Sequence, residues 1–541
     1  MKKRDIDIIL IAQSNVIDNN KFSTLPKDRL SIYKNLVYPR LVRVEDRLVS
    51  HLDYINYHRT GRFYSDVGYI DRRQMLNIWN LPSMGGMHLA NYLTQFGFSV
   101  KIINNFDSEF DIFTKLYQNS SRPPLVGIST TFYLSWAIVG GIVKRLRDID
   151  NDMKVALGGA FVNSEFVSKG ASVFEGKMKK YKMNYVLYAF NSEMDLRNLM
   201  LYLEGKCDYQ KIRNFCALDS AIEGGSYFVS SSQWNSPLLE LKDVPAQWHS
   251  LDIPFVNSTV QIRTASGCPF KCSFCSYPTT AGGWFTVDEQ VVERHLESVL
   301  SIPGVNKIIF IDDTFNVPSR RFVKLLKLFS KFNFEWFSFL RVQYVNEEMV
   351  KMMRDTGCRG VYLGIESAND TVLQNMNKKV TIKQFADGVN LLNKFNIDYL
   401  AAFVLGFPGE SYQTIVDNIR FIRDNGVKYY SLKEFYYMDN TSIHEKRFKY
   451  GLSGIGKRWR HDTMSYEQAS DLKLELFSAV NESIHVDPDT SLWYMAYLYD
   501  QGFSFADIAD MQKRINRDIK VQISGEMKGL EGYKDCVGKK N

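Results

Sequence analysis

The stretch GCPFKCSFCSYP, Gly267 to Pro278, packs three of the chain's seven cysteines, Cys268, Cys272 and Cys275, into eight residues. Three thiolates on a short irregular loop can hold three irons of a 4Fe–4S cluster and leave the fourth iron open to another ligand. The bland alternatives are a structural zinc site and chance. Zinc asks for a fourth Cys or His, and no partner at paired spacing is visible. Cys207, Cys216, Cys358 and Cys536 are scattered along the chain. An odd, dispersed set of thiols is not a disulfide framework, so a reducing cytoplasm is the expected compartment.

The cysteine loop follows the strand-like TVQIRTASG, Thr259 to Gly267, which opens a series of strands alternating with helical stretches. The further strands are KIIFIDD (Lys307 to Asp313), EWFSFLR (Glu335 to Arg341), GVYLGIES (Gly360 to Ser367), DYLAAFVLGF (Asp398 to Phe407) and VKYYSLKEF (Val427 to Phe435). Six βα units over residues 257–440 predict an open, partial (β/α)6 barrel, whose sites form at the carboxyl ends of its strands. An earlier alternating series fills residues 1–205, with strands at Asp5 to Ala12, Phe98 to Asn104, Pro124 to Thr130, Met153 to Phe161 and Met183 to Glu193. That rhythm predicts an α/β, doubly wound, Rossmann-like domain. Residues 206–256 read as a linker with a small hairpin. Residues 441–541 read as a helical region whose polar tail, from about Gly525, is mobile. The basic start, MKKRDIDIILIA, is interrupted by acidic residues and reads as a first strand rather than a signal peptide. No apolar run approaches the length of a membrane span. The net charge of +7, without a dense Lys/Arg run, does not argue for nucleic acid.

The cysteine triplet, with Phe274 before its third member, resembles the signature of the radical S-adenosylmethionine enzymes. The resemblance covers about Asn257 to Tyr437 and implies a role for each strand end. Asp312 and Asp313 would contact the methionyl amino group. Arg341 would lie near the methionyl carboxylate, and Glu366 would take the ribose hydroxyls. Gly406 and Gly409, in LGFPGES, would approach the adenine. As plain residues, a strand-end Asp can be a helix cap and GFPG only a turn. The implied chemistry is reductive cleavage of S-adenosylmethionine to a 5′-deoxyadenosyl radical, with flavodoxin or ferredoxin as the kind of electron donor.

A doubly wound domain placed before such a barrel resembles the cobalamin-binding subclass. MGGMHLANYL, LVGIST and VALGGAF carry that likeness, and it implies that Thr130, Thr131, Gly158 and Gly159 approach the corrin or its nucleotide tail. The subclass commonly ends its last strand in a Gly-Glu-Gly-Glu turn; here YAFNSE keeps only Glu193. NYHRTG has His58 and Gly61 of the Asp-x-His-x-x-Gly cobalt-ligand motif but Asn56 in place of its Asp, so the cobalt is expected without a protein histidine. The loop Tyr450 to Ser465, with Lys457, Arg458, Trp459, Arg460 and His461, reads equally as a substrate-recognition loop over the barrel mouth or as a basic turn around a buried Trp. With the later helix it resembles the phosphinothricin-type P-methyltransferase branch. Together these features predict a cobalamin-dependent methyltransferase acting on an unactivated carbon or phosphorus centre of a small-molecule or peptide substrate. The rivals are a cobalamin-free enzyme of cyclisation, rearrangement or crosslinking, and a non-catalytic iron–sulfur sensor or assembly protein.

Overall fold

A computed structural model describes residues 6–14, 37–133, 135–218, 227–229, 257–281, 283–486 and 491–537. Strand β1 (Ile8–Gln13) is buried along its whole length. Ile8, Leu10 and Ala12 point to one core and Ile9 and Ile11 to another, the period-two alternation of a strand covered on both faces. A hairpin follows, β2 (Leu41–Val44) and β3 (Arg47–Ser50), and then the helix His51–Thr60. The parallel strands β4 (Val100–Asn105), β5 (Leu125–Ser129), β6 (Val155–Gly158) and β7 (Tyr185–Leu187) join β1 in the order β4-β1-β5-β6-β7. Counted along the chain that order is 2-1-3-4-5, with its topological switch between β1 and β5. The helix Met84–Thr94 sits directly on β1, where a Cβ at Gly86 would come within 2.8 Å of the Ala12 Cβ.

The first sheet is longer than the sequence predicts. Strands β8 (Phe215–Leu218) and β9 (Tyr227–Val229) extend it antiparallel from β7, inside the segment read as a linker. Phe215, Cys216 and Ala217 are fully buried. The two strands form the small hairpin expected in this segment; that it joins the first sheet is what so short an apolar run does not reveal. Residues 230–256 lie outside the described residues.

The second sheet runs β10 (Thr259–Ile262), β13 (Lys307–Phe310), β14 (Glu335–Leu340), β15 (Cys358–Glu366), β16 (Asp398–Leu405), β17 (Tyr429–Glu434) and β20 (Ile484–His485). All its pairings are parallel. The six expected strands are present, and the C-terminal region adds β20 as a seventh. A two-residue ribbon, β11 (Ala265–Ser266) with β12 (Phe285–Thr286), frames the cysteine loop. A second ribbon, β18 (Arg460–His461) with β19 (Met464–Ser465), closes the loop after β17. Helices Tyr466–Ala479, Ser491–Asp500 and Phe505–Val537 complete the chain. The last includes Gly525, from about which the sequence reading starts a polar, mobile tail. Among the described residues no helix is long and apolar enough to cross a membrane.

The C-terminal helices tie the two sheets together. Gln522 exchanges hydrogen bonds with the Arg43 backbone at 3.1 and 3.2 Å, and the Tyr54 hydroxyl donates to Asp518 at 2.7 Å. Asp500 Oδ1 accepts from the Ser258 amide (3.0 Å) and from the Ser258 and Thr259 hydroxyls (2.7 Å each), which pins the start of β10. Hydrogen bonds to a charged acceptor contribute about 1.5–3 kcal/mol each. Asp500→Ala is therefore expected to lower the thermal midpoint measurably, read by calorimetry on the purified chain. An unchanged midpoint would show that the helix Ser491–Asp500 does not fasten β10.

Candidate functional site

The cysteine loop springs from β11 at Gly267, whose φ is 76°. A Cβ there would lie 1.7 Å from the Gly283 carbonyl oxygen, so the loop closes only around a glycine. Neighbouring backbone holds it open. The Ser273 amide donates to Met376 O at 2.8 Å, Asn377 Nδ2 donates to Lys271 O at 2.7 Å, and the Ile443 amide donates to Ser273 O at 3.0 Å. Cys272 is buried, and Cys268 and Cys275 are half-buried. Burial, with the charges of Cys272, Cys268 and Asp313 adding to it, pushes the Cys275 thiol up to about 11. Left alone, this burial disfavours the Cys275 thiolate; a bound cationic centre would favour it. Among the described residues no group of three or more His, Cys, Asp or Glu side chains converges on a single metal ion. Three thiols on one short irregular loop are the kind of donor set that holds an iron–sulfur cluster.

The strand ends above this loop separate into those that face the site and those that build it. Asp312 is 1% exposed and fully engaged. It accepts from the Thr264 amide at 2.6 Å, the Ala265 amide at 3.0 Å and the Thr264 hydroxyl. Its neighbour Asp313 turns the other way, into a cavity. Burial raises that carboxyl to about 6, against the pull of Tyr277 and Arg263. Arg341 lies over the Phe270 ring at 3.6 Å and donates to Cys272 Sγ and Lys378 O, both at 3.2 Å. Glu366 pairs with Lys378 at 2.7 Å, a lysine that the sequence reading passes over. Phe274 meets Phe407 edge to face at 6.1 Å.

Gly406 and Gly409 are packed from behind. A Cβ at Gly406 (φ 87°) would strike the Trp459 ring at 2.4 Å, and one at Gly409 (φ 101°) would strike Asn375 Nδ2 at 2.4 Å. The loop Tyr450–Ser465 thus serves the GFPG turn. Trp459 donates to Phe435 O at 2.6 Å and stacks on His461, which bonds Gly406 O at 3.0 Å. Lys457, Arg458 and Arg460 are exposed, and none of the loop's basic residues lines the cavity. Trp459 itself is fully buried. Glu410, in the same motif, is fully buried and accepts from the Gly406 amide; burial pushes its carboxyl up to about 8.

A cavity of about 810 Å³ lies between the carboxyl ends of the first sheet and the barrel. Thr131, Gly158 and Gly159 line it on one side, and Asp313, Tyr277 and Arg263 on the other. Thr130 does not: it is fully buried, and its hydroxyl donates to Gly158 O at 2.8 Å, which fixes the β5–β6 edge behind the cavity wall. Gly159, at φ 107°, offers bare backbone, since a Cβ there would press on the Thr130 and Thr131 amides at 3.0 and 3.1 Å. His58 is exposed on its helix between Tyr54 and Tyr57, away from the cavity. His88, in the quoted MGGMHLANYL, lines it instead, 3.4 Å from Glu193. Although burial alone raises Glu193, the His88 hydrogen bond and charge hold it below the ordinary carboxylate range. A polar residue one turn into an otherwise apolar helix was the available signal for His88.

This geometry has known counterparts. Residues 262–422 match the Radical SAM superfamily model. An uncharacterized methyltransferase of Pyrococcus horikoshii is 34% identical over 173 residues, 31% of this chain and 37% of that protein. An anaerobic magnesium-protoporphyrin IX monomethyl ester cyclase of Rubrivivax gelatinosus is 23% identical over 365 residues, 64% of this chain and 62% of that protein. The chain thus spans less than two thirds of either relative. The methyltransferase TsrM of Kitasatospora setae, solved with cobalamin and a 4Fe–4S cluster bound, superposes with a TM-score of 0.55 at 16% identity over 79% of this chain and 89% of that one. At that identity the likeness is one of fold, and it takes in both domains. The strands that frame the cysteine loop fall within the matched segment, so the chain carries a Radical SAM superfamily domain, set behind a Rossmann-like domain that faces it across one cavity.

Proposed function

We propose that the chain is a radical S-adenosylmethionine enzyme that also binds cobalamin and methylates an unactivated carbon or phosphorus centre of a natural-product-type substrate. The observation that carries this reading is the single cavity bounded by Gly158 and Gly159 on the sheet side and by Asp313 and Tyr277 on the barrel side. A ligand at the carboxyl ends of a 2-1-3-4-5 sheet sits at the switch between β1 and β5, and there it would look directly into the barrel mouth. The bare backbone at Gly159 suits close approach of a large flat ligand. No G-x-G-x-x-G fingerprint follows β1, which speaks against a dinucleotide in that place. The methyltransferase names of the Pyrococcus relative and of TsrM support the reaction class. The cyclase name of the Rubrivivax relative supports the rival, ring formation on the same two domains.

In this reading Cys268, Cys272 and Cys275 hold the cluster, and Arg341 stands beside the Cys272 sulfur. Asp313 offers the methionyl amino group a cavity-facing carboxylate, and Glu366 offers the ribose an acceptor. When bound, the cluster supplies one electron for cleavage of S-adenosylmethionine, and the corrin supplies the methyl group. The chain's own part is to orient both and to keep water from the radical. A small acidic electron carrier of the flavodoxin or ferredoxin kind would provide the electron.

Two expectations test the halves of the reading separately. Anaerobic reconstitution should load about four irons per chain, with the absorption of a 4Fe–4S centre. Replacement of any of the three cysteines by Ala should lower the iron or abolish S-adenosylmethionine cleavage. Gly267→Ala should lower iron loading too, although it removes no ligand. A triple-cysteine variant that still carries a full redox-active cluster would overturn the assignment.

The second expectation concerns cobalt. After incubation with hydroxocobalamin and desalting, the chain should retain about one cobalt, as the one site per cavity implies. Retention should survive His58→Ala, because that side chain lies away from the cavity. If no cobalt is held and turnover proceeds without cobalamin, the cobalamin-free rival replaces the methyltransferase.

A further inference from the structure

We propose that Lys378 is a positioning residue of the nucleoside site: it aims the Glu366 carboxylate at the ribose hydroxyls and, through its own carbonyl, braces Arg341 against the cysteine loop. The inference rests on the function proposed above and assigns a role to a residue that neither the cysteine motif nor the strand-end pattern contains.

The backbone is shaped for this pairing. The β15–β16 register slips between Gly364 and Glu366, a bulge of the kind that re-aims a side chain at a strand end. Glu366 itself has φ 65°, a left-handed conformation that a non-glycine residue adopts only when its surroundings impose it. Lys378 is what meets it, with Nζ 2.7 Å from Glu366 Oε1 and side chains only 6% and 12% exposed. The pair lies flat across Gly364, where a Cβ would fall 2.4 Å from Glu366 Oε1 and 2.9 Å from Lys378 Nζ. Any larger residue at 364 would require the ends of both side chains to shift.

Lys378 sits in a tight turn, with Asn377 at φ 53° and Lys379 at φ 58° on either side. That turn touches the cysteine loop at two points. Asn377 Nδ2 donates to Lys271 O at 2.7 Å, and Arg341 Nη1 donates to Lys378 O at 3.2 Å while its Nη2 reaches Cys272 Sγ at 3.2 Å. One residue therefore connects the strand end expected to read the ribose with the arginine expected beside the methionyl carboxylate. A buried ion pair is a poor device for stability alone, since desolvation offsets most of its attraction, whereas it fixes geometry well. The strained backbone and the glycine that accommodates the pair both point to geometry as its use.

The test uses the full reconstituted chain and measures dissociation constants for S-adenosylmethionine and its 2′-deoxy analogue, with iron per chain as the control. Lys378→Met should keep the iron, weaken S-adenosylmethionine at least tenfold, and narrow the preference for it over the 2′-deoxy analogue. Lys378→Arg should recover part of the affinity. Should Lys378→Met fail to load iron, Glu366→Gln and the neutral double variant K378M/E366Q decide instead: the proposal expects equal affinity in the two. Wild-type affinity in Lys378→Met, equal weakening of both ligands, or a further tenfold loss in the double variant would overturn the proposal and leave the proposed function standing. A wild-type chain that loads iron yet binds no S-adenosylmethionine would overturn both.

Discussion

The Asp312 carboxylate, 1% exposed at the end of β13, holds the joint from which the site grows. It gathers the Thr264 and Ala265 amides and the Thr264 hydroxyl, the residues that link β10 to β11. Burial pushes this carboxyl up, and the three donors together with the Arg321 charge draw it back toward the ionised form. Arg321 also donates to Thr264 O at 2.9 Å, so it closes the same ring of contacts. With β11 fixed, Gly267 can pass under Gly283 and the cysteine loop takes its open shape. The next residue along, Asp313, is then turned into the cavity by the same chain direction. Of the two neighbouring carboxylates, Asp312 is engaged by protein donors and Asp313 is the one that faces the cavity.

The two domains meet across one cavity. The parallel strands of the first sheet turn their carboxyl ends toward it, and the ends of β10, β13 and β14 reach it from the second sheet. One apolar core runs from Ile8 and Leu10 in the first sheet into Ile262 and Ile308 in the second. The helix Ser491–Asp500 packs on β13, β14 and β15, and the helix after it reaches back to β2. The angle between the domains is thus set by packing rather than by a free linker. A reaction that needs one ligand on each sheet requires this: the distance between them must be built in before either arrives.

The sequence was most legible where physics repeats. Branched apolar runs located β1, β4 to β7 and the barrel strands, because a strand covered on both faces has to be continuously apolar, while their ends ran past the true ones, as at β7 and β10. Strand β20 escaped notice because two residues hold no period, and the hairpin of β8 and β9 was expected but not its pairing onto β7. The cysteine triplet and the strand-end residues were legible as types, but not in their division of labour. Nothing local distinguishes Asp312 from Asp313, or Thr130 from Thr131; only the turn of the backbone at the strand end decides which of each pair faces inward. Lys378 and His88 were missed for the opposite reason. Each sits outside a strand end and acquires its place through a partner on another element, Glu366 at the end of β15 and Glu193 at the start of the helix Glu193–Leu203. Trp459 shows the same limit: its target, Gly406, is distant in sequence and close only in the folded chain.

The central claim is that the edge of the first sheet and the barrel residues Arg263, Tyr277 and Asp313 face one cavity beside the cysteine loop, so that two redox centres loaded into the protein would sit within magnetic reach of each other. Electron paramagnetic resonance on a chain carrying both the one-electron-reduced cluster and cobalt(II) corrinoid tests this directly. The account predicts mutual broadening and faster relaxation of the two signals compared with samples that hold either centre alone. Two spectra that simply add, from a sample shown to contain both centres in each chain, would contradict it.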